Sequence, residues 1–160
     1  MRTAGEWSEL ASLLRRLMPV AHLPTARPLG RDYDVVITEA GPAGDELLCL
    51  MDALAGGCGP VIAEAGRPVL CWVVPPGTGD WWDSRYGLCL SAPGSIPFPP
   101  LCHENPVGPY WLRPFRADRR VSPEDLAAAL DAVRPRPRRD ADQALAALWS
   151  LPDAAAEKKA

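Results

Sequence analysis

Histidine and lysine are nearly missing from this chain, which carries two of each. So little imidazole leaves few routes to a general base. His22 stands before Leu23-Pro24 in a loop-like stretch, and His103 lies between Cys102 and Glu104. Neighbouring residues rarely turn their side chains toward one another, so Cys102 and His103 are not read as an activated thiol. Paired cysteines are missing too. The five (Cys49, Cys58, Cys71, Cys89, Cys102) are odd in number, scattered through mostly apolar runs and never at C-x-x-C spacing. They read as reduced core thiols, with no ligand set for zinc. No stretch approaches the ~20 apolar residues that cross a membrane. The start carries Glu6 and Glu9 and no signal-peptide core, so a cytoplasmic protein with no membrane partner is expected.

Most of what is present describes an ordinary globular chain. Apolar residues make up 48% and charged residues 23% of 160 positions, enough for one domain with a core that needs neither metal nor disulfide. Nineteen prolines, many of them between residues 75 and 114, predict short strands joined by stiff turns there. Net charge is −3, so no whole-molecule field draws the chain to nucleic acid or anionic lipid. The charge is uneven, however. Arginines 113, 116, 119, 120, 134, 136, 138 and 139 crowd one tail against Asp118, Glu124, Asp125 and Asp131.

Residues 4–18 predict an amphipathic helix. Thr3 and Glu6 have capping-box spacing, Trp7, Leu10, Leu14, Leu17 and Met18 share a face, and Pro19 stops it. Residues 22–31 read as a loop. Val35 to Ile37 make a short strand, and a second helix spans roughly 44–55, with Gly56-Gly57 as terminator. The runs at 61–63 and 69–74, joined by Gly66-Arg67, predict a hairpin. Both runs are apolar on consecutive residues, so the pair should be covered on both faces. Residues 78–83 fit one helical turn. Strands follow around 86–91, 95–99 and 109–114. Ser122, Pro123, Glu124 and Asp125 start a helix that runs to about Val133, and Asp140 and Gln143 offer a cap for another over 141–150. The class is α+β, a mixed or antiparallel central sheet flanked by helices. The organisation is an N-terminal helix (1–19), the main domain (20–134), and an Arg/Pro linker with C-terminal helix and frayed tail (135–160).

Three features invite chemistry. Asp32 and Asp34 alternate around Tyr33, the i, i+2 spacing that lets two carboxylates share a divalent ion. The pair precedes its strand instead of ending it, and a solvated loop is the simpler reading. Gly56-Gly57-Cys58-Gly59 follows a helix, the wrong polarity for a strand–glycine–helix phosphate cradle, and reads as a cap and turn. The arginines after Tyr110 and Trp111 offer phosphate contacts beside rings that stack on bases; solvated surface is the alternative.

Residues 59–114 resemble the N-terminal domain of bifunctional DNA primase–polymerases, in the archaeo-eukaryotic primase superfamily. The likeness rests on the glycine turn and strand Gly66 to Trp72, on Gly87 to Pro100 (GLCLSAPGSIPFPP), and on Gly108-Pro109-Tyr110-Trp111. With Val74 to Thr78 (VPPGT), the same motifs are similar to short actinobacterial proteins often grouped with that family. The resemblance implies an RRM-related sheet. It also implies a histidine after the glycine turn, where Pro68, Val69 and Leu70 stand, and a D-x-D closing a strand, where only Glu64 follows Ala63. One carboxylate is too few for two-metal phosphoryl transfer.

The expectation is therefore a catalytically degenerate primase–polymerase-like domain, a nucleic-acid- or nucleotide-binding or regulatory module with no cofactor. Its surface would be a sheet bearing Trp72, Tyr86 and Trp111 beside Arg85, Arg113 and Arg116. Two alternatives remain open. One is a protein-interaction module that docks helix 4–18 or 141–150 through Trp7 or Trp149. The other is a nucleotidyltransferase holding Mg²⁺ or Mn²⁺ between Glu64 and Asp32 or Asp34.

Overall fold

In the computed structural model, residues 24–135 are described, and N-terminal to them only Gly5 and Glu9, both in helical backbone. The expected helices at 4–18 and 141–150, with Trp7 and Trp149, lie outside the described residues apart from those two positions. No helix among the described residues is long and apolar enough to cross a membrane.

The organising element is the strand Val69–Val74, buried at every position. Side chains alternate between the faces of a strand, so this one strand feeds two cores. Leu70, Trp72 and Val74 join one cluster, and Val69, Cys71 and Val73 join the other. Its neighbours repeat the division: Val36, Val61 and Ala63 fall on the first side, and Val35, Ile37 and Ile62 on the second. In chain order the strands are β1 (Thr25–Pro28), β2 (Asp34–Glu39), β3 (Val61–Glu64), β4 (Val69–Val74), β5 (Leu88–Leu90), β6 (Ser95–Phe98) and β7 (Pro109–Arg113). Five form an antiparallel sheet in the order β5-β2-β4-β3-β7, and β1 with β6 forms a separate antiparallel pair. The class is α+β, and every strand pairing among the described residues is antiparallel.

Helices α1 (Pro42–Asp52) and α2 (Pro123–Val133) cover the first face through Leu47, Leu48 and Met51, and through Leu126, Ala129 and Leu130. The second face is covered by the β1–β6 pair and the chain around it, through Leu29, Tyr33, Ile96 and Phe98. The start of α2 is the expected one: Ser122 Oγ accepts from the Asp125 amide at 3.4 Å, with Pro123 in the first turn. The helix stops at Arg134, which is left-handed (φ 54°) and stands before Pro135. Pro42 likewise opens α1, and the predicted hairpin is the β3–β4 pair. One helical turn of the 3₁₀ type occupies Thr78–Asp80.

Two expectations need correction. Residues 22–31 are not all loop, because Thr25–Pro28 is strand β1. All four of its residues are exposed, so no apolar alternation marks it; its partner β6 makes it a strand. The likeness of Gly87 to Pro100 to the primase–polymerase domain implies a strand pair there; the segment holds two strands that do not pair with each other, since β5 joins β2 in the large sheet and β6 crosses to β1.

Candidate functional site

The β3–β7 register sets Val61 opposite Arg113. The loop entering β3 therefore faces the chain leaving β7. Between them lies a cleft of about 190 Å³, lined by Asp52, Gly56, Gly57, Cys58, Gly59 and Pro60 on one side and by Arg113, Pro114, Arg116 and Arg119 on the other. Among the described residues, three guanidiniums meet a single carboxylate there.

The arginine-bearing segment is held at both ends. Phe115 packs edge-on to Phe98 (ring centroids 5.6 Å apart) and tilted against Trp111 (5.5 Å). Phe98 in turn stacks on Tyr33 at 4.8 Å, and Arg120 lies over both Tyr33 and Phe115. At the far end Val121 is fully buried, and its amide donates to the Val73 carbonyl at 2.8 Å. A turn in which the Arg119 amide donates to the Arg116 carbonyl (3.2 Å) then presents both side chains.

Each arginine is held differently. Arg113 donates from Nε and Nη2 to the two Asp52 carboxylate oxygens (2.9 and 2.6 Å) and from Nη1 to the Leu112 carbonyl (2.9 Å). This guanidinium holds the Asp52 carboxyl below the usual carboxylate range. The stabilisation is thus present above that range and fades as pH falls through the depressed value. Both partners are about a third or more exposed (32% and 41%), so solvent weakens the pair. Arg119 Nη2 donates to the Gly57 carbonyl, while its Nε is buried with no acceptor among the described residues. Arg116 is exposed at the rim and has no side-chain partner among the described residues.

Two glycines make this fit possible. At Gly56 (φ 84°) a Cβ would stand 2.5 Å from Arg119 Nη1. At Gly59 (φ 97°) it would stand 2.9 Å from the Val121 amide nitrogen, against backbone that cannot yield. The glycine run is a seat for the opposing arginine loop. Cys58, in the same wall, is buried, and desolvation pushes its thiol up to about 12, so it stays protonated and is no nucleophile.

The other expected site residues lie elsewhere. Trp72 and Trp111 are fully buried on opposite faces of the sheet. Trp72 Nε1 donates to Thr38 Oγ1 (2.8 Å), and Trp111 Nε1 donates to the Pro100 carbonyl (3.1 Å). Neither presents a ring to solvent. Arg85 lies over the Tyr86 ring at 5.1 Å, in a shallow groove with Asp83, Asp131 and Arg134 that shares no residue with the arginine cleft. Of the six, Arg113 and Arg116 come together, and Arg85 and Tyr86 form a second group.

The acids do not converge. Asp34 pairs with Val74, whereas Glu64, one residue past the Ala63–Leu70 pair, is level with Val69 at the other end of β4. Five steps of about 3.4 Å put these ends roughly 17 Å apart along the strands. Asp34 is fully buried, accepting from the Gly79 amide (3.0 Å) and the Ser91 hydroxyl (2.8 Å), while Asp32 is exposed. Burial raises the Glu64 carboxyl, opposed by Arg67 at 3.9 Å. No three His, Cys, Asp or Glu side chains group as a metal site among the described residues.

Sequence reasoning counted Arg119 only among the arginines of the tail, and it missed Asp52 and the part that the glycine run plays in the site. The three-residue spacing of Arg113, Arg116 and Arg119 was the available signal for the first; nothing local marks Asp52, which reaches its partner across 61 positions. Compared with family models, curated proteins and solved structures, the chain matches none of them.

Proposed function

We propose that this domain is a catalytically degenerate, primase–polymerase-like module that binds phosphate-bearing ligands, nucleic acid or nucleotide, without processing them. The observation that carries the reading is the convergence of Arg113, Arg116 and Arg119 on one cleft with Asp52 as the only acid among its described lining residues. Arginine suits this task because its planar fork offers several donors to phosphate oxygens and never loses its charge near neutral pH. The missing catalysis is supported by the separation of Glu64 from Asp34 and by the use of Asp34 inside the fold. The likeness of residues 59–114 to the primase–polymerase domain supplies the choice of ligand.

The test is fluorescence anisotropy of a labelled single-stranded oligonucleotide, with nucleotides as competitors, across a range of salt. Arg116→Ala and Arg113→Ala are expected to weaken binding and to flatten the dependence of log affinity on log salt, by about 0.7 for each phosphate that is no longer neutralised. Unchanged affinity and slope in both variants would remove the cleft from the reading.

A further inference from the structure

Resting on that reading, we infer that the cleft is selective for a phosphomonoester dianion, such as inorganic phosphate or a nucleoside monophosphate, over an internal phosphodiester, and that Asp52 sets this selectivity. The donors left for a ligand are unevenly placed. Arg113 already spends three N–H groups on Asp52 and Leu112, so it supplies mainly charge. Among the described residues Arg116 has its whole fork free, and Arg119 gives one N–H to the Gly57 carbonyl.

The charge sum adds a second argument. Three guanidiniums and one carboxylate leave two positive charges around the cleft. A phosphomonoester carries about −1.5 to −2 at neutral pH and matches that sum, whereas a phosphodiester carries only one negative charge. Asp52 is what lowers the sum from three to two. It also holds Arg113 back in a bidentate pair, so the ligand must compete with a carboxylate for that guanidinium. A dianion competes better than a monoanion does. The cavity, about 190 Å³, has room for a phosphate group.

The experiment is calorimetric titration of the full chain with inorganic phosphate, with a nucleoside monophosphate and with dimethyl phosphate, a diester monoanion of similar size. The wild-type chain is expected to bind the two dianions on the order of tenfold tighter than dimethyl phosphate, which corresponds to about 1.4 kcal/mol. Asp52→Asn keeps the shape, removes the charge and lies on an exposed helix end. It is expected to strengthen diester binding and shrink the ratio several-fold. Arg116→Ala should weaken all three ligands together.

Equal affinity for monoester and diester in the wild-type chain overturns the inference, and so does an unchanged ratio in Asp52→Asn. If either occurs while oligonucleotide binding still depends on Arg116, the binding module stands and only the selectivity fails. If no phosphate compound and no oligonucleotide binds, both readings fall. Urea unfolding of Asp52→Asn shows separately whether the fold is intact.

Discussion

Trp72→Ala is expected to lower the stability of the domain by about 3–5 kcal/mol, the range for truncating a large buried aromatic side chain. A domain of this size has only about 5–15 kcal/mol to lose. Trp72 sits on the central strand and is fully buried among Leu47, Met51, Leu126 and Leu130. Alanine there opens a cavity between sheet and helices, and it also strands the Thr38 hydroxyl, which is buried and accepts the indole N–H. Trp72→Phe separates the two effects. It keeps most of the volume and should cost about 1–3 kcal/mol, the range for a buried polar group losing its partner. Urea midpoints at constant slope measure both variants. An alanine variant with an unaltered midpoint and weakened oligonucleotide binding would reverse the assignment and make Trp72 a stacking platform.

The second large effect is expected at Asp34. Its carboxylate accepts from the Gly79 amide and the Ser91 hydroxyl, tying the 3₁₀ turn and the chain after β5 to the end of β2. Asp34→Ala removes a charged acceptor from two donors at once and is expected to cost roughly 3 kcal/mol. Asp34→Asn keeps one acceptor oxygen and should lie between wild type and alanine. In chain order the turn and Ser91 are more than forty positions away, so Asp34→Ala should also raise amide exchange around residues 77–91 before the rest of the sheet opens. Wild-type stability in the alanine variant, with metal-dependent changes in nucleotide binding, would return Asp34 to the role of a metal ligand.

These two residues show what was legible in the sequence. The consecutive apolar residues of β4 announced a strand covered on both faces, and the α2 start announced itself through Ser122, Pro123 and two acids, because both signals are local. The chemistry was harder to read. An aromatic residue in a buried strand and one on a binding face look alike until the covering layer is known, and over Trp111 that layer includes β1, which carries no apolar pattern. The spacing of Asp32 and Asp34 was visible, but not that one side chain turns inward to cap a distant turn while the other stays in solvent. The glycines at 56, 57 and 59 were read against a cradle closed by a helix start. Their partner is an arginine loop more than fifty residues on, and only the β3–β7 register brings it there.

The β1–β6 pair has a kinetic consequence. It joins Thr25 to Phe98, whereas β3 and β4 meet through a turn of a few residues. Long closures cost more chain entropy than short ones, and the order expected here has the contacts that depend on this one forming after the barrier. The hairpin and the helices it receives would thus assemble first, and the outer pair would settle on a sheet already made. Phe98→Leu, which loosens the ring contacts to Tyr33, Trp111 and Phe115, should then speed unfolding in stopped-flow experiments and leave the refolding rate nearly unchanged. Slower refolding in proportion to the lost stability would place that closure before the barrier. With late closure, a chain just past its barrier has a finished sheet and a glycine wall, while its arginine loop is still unanchored through Phe115. Ligand binding would be the last property the protein acquires as it folds and the first it loses on the way out.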